Sequence, residues 1–179
     1  MIFESSYWKD ELLGTASFLE KKKQQKQWRG SSYAKVEQKI MISFYSIRKL
    51  MDAKKLTDVI VQLDVPAVEY AATGKNVTLL NNHKIDELYN LEEPKEKTVK
   101  LRFLCNQLVH SYIFMIVTHH DNNGLNSILV NSDNIKDRRL IGISVDTLIK
   151  TFNSVGQNYP WKSRFKYDES KGDYKVVCA

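Results

Sequence analysis

The sequence predicts an α+β fold: one helix-rich domain, with a small antiparallel β-sheet or hairpin following a long central helix. Three observations carry this expectation. Apolar residues recur at helical spacing through residues 5–54. The pattern then switches to alternation at DVIVQLDVP (58–66), and two β-branched runs, SILVNSD (127–133) and RRLIGISV (138–145), lie close enough to pair. A chain of 179 residues, 42% of them hydrophobic, can bury one sizeable core. No repeat, linker or compositional break divides residues 1–179 into two domains.

A first helix is expected over residues 5–27. Trp8, Leu12, Ala16 and Leu19 mark its apolar face, which fades after Glu20 into KKKQQKQWRG until Gly30 stops it. Lys21, Lys22, Lys23 and Lys26 suit a helix C-terminus. With Trp28 and Arg29 they also form a candidate nucleic-acid-binding patch, the cations meeting phosphates and the two planar groups stacking on bases. A solvated helix end is the plainer alternative. Ser31 or Ser32 caps a second helix over 33–54, whose core stripe is Val36, Ile40, Phe44, Ile47 and Met51; Glu37 and Arg48 lie off it as surface charges.

Residues 58–65 read as a strand that Pro66 ends or places at an edge. TGKN (73–76) is a turn, VTLL (77–80) a short strand, and Asn82 the cap of a brief helix through Leu91. Pro94 suits the first turn of the central helix, expected to reach Met115. HHDNNG (119–124) is turn chemistry. The two strands that follow flank a loop at 134–137. Ser144 or Asp146 then caps a helix that Gly156 closes. Residues 158–179 form a basic, aromatic tail in which Tyr159, Trp161 and Phe165 interleave with Lys162, Arg164 and Lys166. Its rings either meet bases or pin the segment to the domain. The final YKVVCA suits an edge strand.

The formal charge of +6 is concentrated: residues 1–55 hold 12 Lys/Arg against 6 Asp/Glu, and the remainder is balanced. A localised basic region points to a polyanionic partner, nucleic acid first. No membrane partner is expected, because no apolar run approaches the roughly 18–20 residues that span a bilayer. The start MIFESSYWKDELL is unlike a signal peptide. Cys105 and Cys178 are too few and too far apart for a disulfide framework or zinc ribbon, so the expected compartment is the reducing cytoplasm. Neither a P-loop nor a dinucleotide fingerprint occurs, and no cofactor is expected. No metal site is expected either: His119, His120 and Asp121 sit in a turn, where neighbouring side chains diverge. Cys105 lies on a core face and is a poor nucleophile.

The chemistry concentrates in LRFLCNQLVHSYIF (101–114). On a helical wheel of about 100° per residue, Leu104, Cys105, Leu108, Tyr112 and Met115 fall near Leu101 as a core face. Arg102, Asn106 and His110 stack one turn apart on another face. Histidine can serve as acid or base near neutral pH. Arginine can grip a phosphate, and asparagine can orient either group. The three are candidate catalytic residues for RNA cleavage by its own 2′-hydroxyl, or else an inert polar stripe bonded within a core.

CNQLVH on such a helix resembles the R-N-x-x-x-H signature of the HEPN superfamily. Asn106 and His110 match the signature's Asn and His; its Arg falls on Cys105, which carries no charge suited to phosphate. Arg102 is the nearest arginine, with seven residues between it and His110, outside the usual spacing. The resemblance implies an RNA-directed protein, a metal-independent endoribonuclease in a toxin or defence setting, with a site completed by a homodimer. His110 would then act as acid or base, Arg102 would bind the scissile phosphate, and Asn106 would position one of them. The competing expectation is a non-catalytic interaction module, of immunity or antitoxin type, that occupies a protein partner. Exposure of His110 separates the two: a catalytic histidine must be reachable, whereas a core histidine is sealed.

Overall fold

A computed structural model describes residues 2–121, 123–170 and 172–179. Six helices and seven strands follow one another along the chain, and five of the strands form one antiparallel sheet. Helices α1 (Ser6–Lys22) and α2 (Gly30–Asp52) come first. They are followed by the single turn α3 (Asp58–Val61), β1 (Asp64–Ala71), the short α4 (Ile85–Leu88) and β2 (Lys95–Lys100). Helix α5 (Leu101–Val109) runs directly into β3 (Ser111–Thr118), and β4 (Leu125–Ser132), β5 (Arg139–Ser144) and α6 (Val145–Gly156) follow. A hairpin of β6 (Ser163–Asp168) and β7 (Asp173–Cys178) ends the chain.

The sheet order is β2-β1-β5-β4-β3. Period-two alternation gives it two apolar faces. Ile128 and Val130 of β4, with Ile141 and Ile143 of β5, join the main core beneath α1, α2, α5 and α6. Leu129 and Leu140 face the other way, into a smaller core closed by Val77, Leu88 and Tyr89 from the long β1–β2 connection. The Tyr89 hydroxyl donates to the Lys136 carbonyl at 2.7 Å, and Asn131 Nδ2 donates to that hydroxyl at 2.7 Å, while the buried Asn131 Oδ1 has no partner among the described residues.

The mixed α+β class, the two N-terminal helices, the β4–β5 pair and α6 match the sequence expectations. The central helix does not. It is nine residues long rather than a span from Pro94 to Met115, and strands flank it on both sides. KEKTVK has helix-forming charges, but it pairs with β1, from Asp64 opposite Lys100 to Glu69 opposite Lys95. As an edge strand rich in lysine it resists further pairing. SYIFMIVT is apolar on all sides, a pattern that periodicity cannot assign. Its β-branched and aromatic residues take the strand, opposite β4, at the second sheet edge. The antiparallel sheet is therefore five-stranded and is built from both sides of the motif helix, not only after it.

Smaller corrections have local causes. Residues 58–61 form a helical turn capped by the Thr57 side chain, with the strand starting only at Asp64. Pro66 lies inside β1, in the stretch that pairs with β2 and precedes the pairing with β5. VTLL forms no strand, and the brief helix shrinks to Ile85–Leu88. Helix α1 ends at Lys22 rather than residue 27. The tail is a complete hairpin rather than an irregular segment. Within the expected turn at 119–124, Asn122 lies outside the described residues. Among the described residues no helix is long and apolar enough to cross a membrane.

Candidate functional site

The C-terminal end of α5 meets the C-terminal half of α2 at the end of β4, and the three enclose an open cleft of about 520 Å³. Local register explains the meeting. Helix α5 ends at Val109, His110 caps it with its N–H on the Asn106 carbonyl at 3.1 Å, and the next residue, Ser111, pairs with Ser132. His110 is thereby carried to the last residues of β4. Ser132 and Asn134 line the cleft on that side, Asn106 and His110 line it from α5, and Tyr45, Arg48, Lys49 and Asp52 line it from α2. Buried Gln107 fastens the junction by accepting the Ser132 N–H at 3.0 Å.

His110 is exposed at the cleft wall, and its imidazole has no hydrogen-bonding partner among the described residues. Asn106 is half-buried and bonded: Arg48 donates Nη1 to its Oδ1. Arg48 also donates Nε to Asp52 Oδ2 at 3.2 Å, and Arg102 reaches Asp52 Oδ1 at 3.3 Å. Two of the three predicted residues, Asn106 and Arg102, are thus linked, though not directly. Asn106, Arg48, Asp52 and Arg102 form one ladder, with His110 beside its Asn106 end. Arg102 stands at the far end and does not line the cleft. The arginine in the cleft wall is Arg48, which the sequence reading left as surface charge.

Arg48 had a sequence signal. Tyr45, Arg48, Lys49 and Asp52 are spaced i, i+3, i+4, i+7, so they share one face of α2 beside its core stripe. The sequence does not reveal that this face turns toward α5.

Cys105 is buried, and desolvation pushes its thiol up to about 12 despite the nearby arginines Arg48 and Arg102. It is neither a nucleophile nor a phosphate ligand. His120 and Asp121 are fully exposed in their turn. Among the described residues no group of three His, Cys, Asp or Glu side chains is placed to hold a metal ion.

The basic patch lies elsewhere. Lys23 binds Glu20 at 3.2 Å and Asp146 at 2.7 Å. Lys22 bonds Gln25 and lies over the Phe18 ring. Trp28 donates to the Asn123 carbonyl at 2.7 Å and packs its ring 4.9 Å from Tyr33. The indole is therefore half-buried and engaged, not free to stack on a base. Lys21, Lys26 and Arg29 remain exposed. Asn123 precedes the start of β4 and Ser132 ends it, so the patch and the cleft sit at opposite ends of that strand, roughly 25 Å apart. The structure does not bring Lys21, Lys22, Lys23, Lys26, Trp28 and Arg29 into the cleft.

No protein-family model, curated protein or solved structure matches this chain.

Proposed function

We propose that this chain is an RNA-directed protein, HEPN-like in its use of an asparagine and a histidine one helical turn apart, and that the α2–α5 cleft is a metal-independent endoribonuclease site. One observation carries the reading: His110 is exposed with a free imidazole beside Asn106, which a cleft-lining arginine holds in place. In this scheme the RNA's own 2′-oxygen attacks the adjacent phosphorus while His110 takes the 2′-hydroxyl proton. The bond to the 5′-oxygen breaks, that oxygen is protonated, and a 2′,3′-cyclic phosphate and a 5′-hydroxyl result. Arg48 supplies the guanidinium that the signature's Arg position, occupied by Cys105, does not. It stabilises charge on the phosphoryl oxygens, and Asn106 holds it in place. Arg102 acts indirectly, by sharing Asp52.

The test is incubation of mixed labelled RNAs in EDTA with the wild type and with His110→Ala. Cleavage by the wild type alone supports the site. Equal cleavage by both removes His110 from the mechanism. No cleavage by either folded protein favours the rival, a non-catalytic module of immunity or antitoxin type. That rival draws on Asp52, which already bonds both arginines and so gives the ladder a structural use.

A further inference from the structure

The terminal hairpin is accounted for neither by the two cores nor by the cleft. Its register sets Phe165 opposite Val176 and Tyr167 opposite Tyr174. Period two then places Phe165, Tyr167 and Tyr174 on one face and Arg164, Lys166 and Lys175 on the other. Neither face is covered. Phe165 is 68% exposed, Tyr167 52%, Tyr174 59%, and Trp161, just ahead of the hairpin, 80%. Trp161 and Phe165 therefore do not pin this segment to the domain, the plainer expectation from sequence, whereas Tyr159 does lie against it, over the buried Lys9 ammonium at 3.7 Å. Among the described residues the hairpin's hydrogen bonds to the domain lie at its base: the Cys178 N–H donates to Asp58 Oδ2 at 3.2 Å, and its thiol donates to the Lys54 carbonyl at 3.7 Å. An isolated two-stranded hairpin is marginal in water, and four rings held open on one form a patch that calls for a partner.

Charge narrows the partner. Residues 158–179 hold five Lys/Arg against three Asp/Glu, and all three acids, Asp168, Glu169 and Asp173, lie at the turn end. Lys162, Arg164 and Lys166 run along or beside β6. Lys166 sits directly opposite Lys175, a like-charge pair that disfavours the hairpin by itself. It is eased by the Lys175–Asp168 ion pair at 2.8 Å. The Lys162 ammonium lies 5.7 Å from the Trp161 ring centroid, and rings with cations close by are what a single-stranded nucleic acid uses, its bases stacking and its phosphates neutralised. An acidic peptide would use the cations and leave the rings idle. An apolar protein surface would cover the rings and leave the cations of the opposite face unused.

We propose that the β6–β7 hairpin is a single-stranded nucleic-acid-binding platform, with Trp161, Phe165 and Tyr167 stacking on bases and Arg164 and Lys166 meeting phosphates. The platform needs no cleavage and stands independently of the ribonuclease reading.

The test is fluorescence anisotropy with a labelled 2′-O-methyl RNA of about 12 nucleotides, within the span of known single-strand sites. Such a strand cannot attack its own phosphates, so a failed ribonuclease reading does not affect the measurement. Wild type and His110→Ala should bind alike. Trp161→Ala/Phe165→Ala should bind at least about tenfold more weakly with unchanged thermal melting. Arg164→Gln/Lys166→Gln should flatten the log–log salt dependence by about 1.4, two phosphate contacts' worth. No binding by wild type, or equal binding by the Trp161/Phe165 variant, overturns the proposal. Competition by polyglutamate as effective as by unlabelled strand overturns it too, in favour of an acidic protein partner.

Discussion

Lys9 is the least comfortable side chain in the protein, and replacing it should stabilise the fold. It sits on the buried face of α1 with no accessible surface, and its Nζ has no hydrogen-bond partner. The ammonium lies 3.7 Å from the centroid of the Tyr159 ring, a partly compensating contact. Burial, helped by the positive charge of Lys55, lowers its pKa from the ordinary 10.5 to about 8, against the opposing pull of Glu4. The sign follows from linkage. Between these two values the unfolded chain binds the proton and the folded chain does not, so stability rises as pH rises through that window. The penalty is about 3 kcal/mol at pH 7 and about 1 kcal/mol at pH 10. The Tyr159 contact offsets about 1 kcal/mol of it at neutral pH. Lys9→Met keeps the methylene packing and discards the charge, for an expected gain of about 2 kcal/mol at pH 7. In a chain of this length that is about 4–8 °C in Tm. Urea and thermal unfolding of wild type and variant at pH 7 and pH 10 measure it. The gain should fall to about 1 kcal/mol at pH 10. A variant less stable than wild type at pH 7, or an equal gain at both pH values, would refute the reasoning.

Three further changes probe the packing and the site. Gly156→Ala should cost about 1–3 kcal/mol, measured by urea unfolding, because the new Cβ would lie 2.6 Å from Leu13 Cδ2 and 3.1 Å from the Lys9 carbonyl oxygen; the side chain can give way, but the helix backbone cannot. Arg48→Met should lower RNA cleavage about 10²–10³-fold and stability by about 1 kcal/mol. Arg102→Met, one step removed from the cleft, should lower cleavage far less. Equal loss in single-turnover assays of the two variants would place both arginines at the phosphate.

How much of the fold could be read in advance depended on whether local signals were unambiguous. Helix α6 was legible from end to end: Ser144 caps it by accepting the Thr147 N–H, and Leu148, Phe152 and Val155 form its buried stripe. The stripe of α2 is buried as its spacing implied. Gly156 was read as a helix stop, yet its role is close approach, since it lets α6 lie against Lys9 and Leu13 of α1. Helical spacing also brought Asn106 and His110 together as neighbours. Arg48 rather than Arg102 lines the cleft because its face of α2 turns toward α5, which its place on one helix does not reveal.

What the sequence determined by itself was the local grammar: the caps, the core stripes of the long helices, the β-branched strands β4 and β5, and the buried, unreactive setting of Cys105. What only the tertiary structure decided was the fate of segments whose own preferences were balanced or wrong for their place. KEKTVK and SYIFMIVT become strands because β1 and β4 offer their edges, supplying backbone partners that no local pattern encodes. The same pairing ends α5 at Val109 and turns His110 outward beside Ser132. The candidate site exists because Ser111 pairs with Ser132 and α2 packs on α5. Contacts between residues so distant in sequence arise from packing a whole core, and residue spacing along one helix does not contain them.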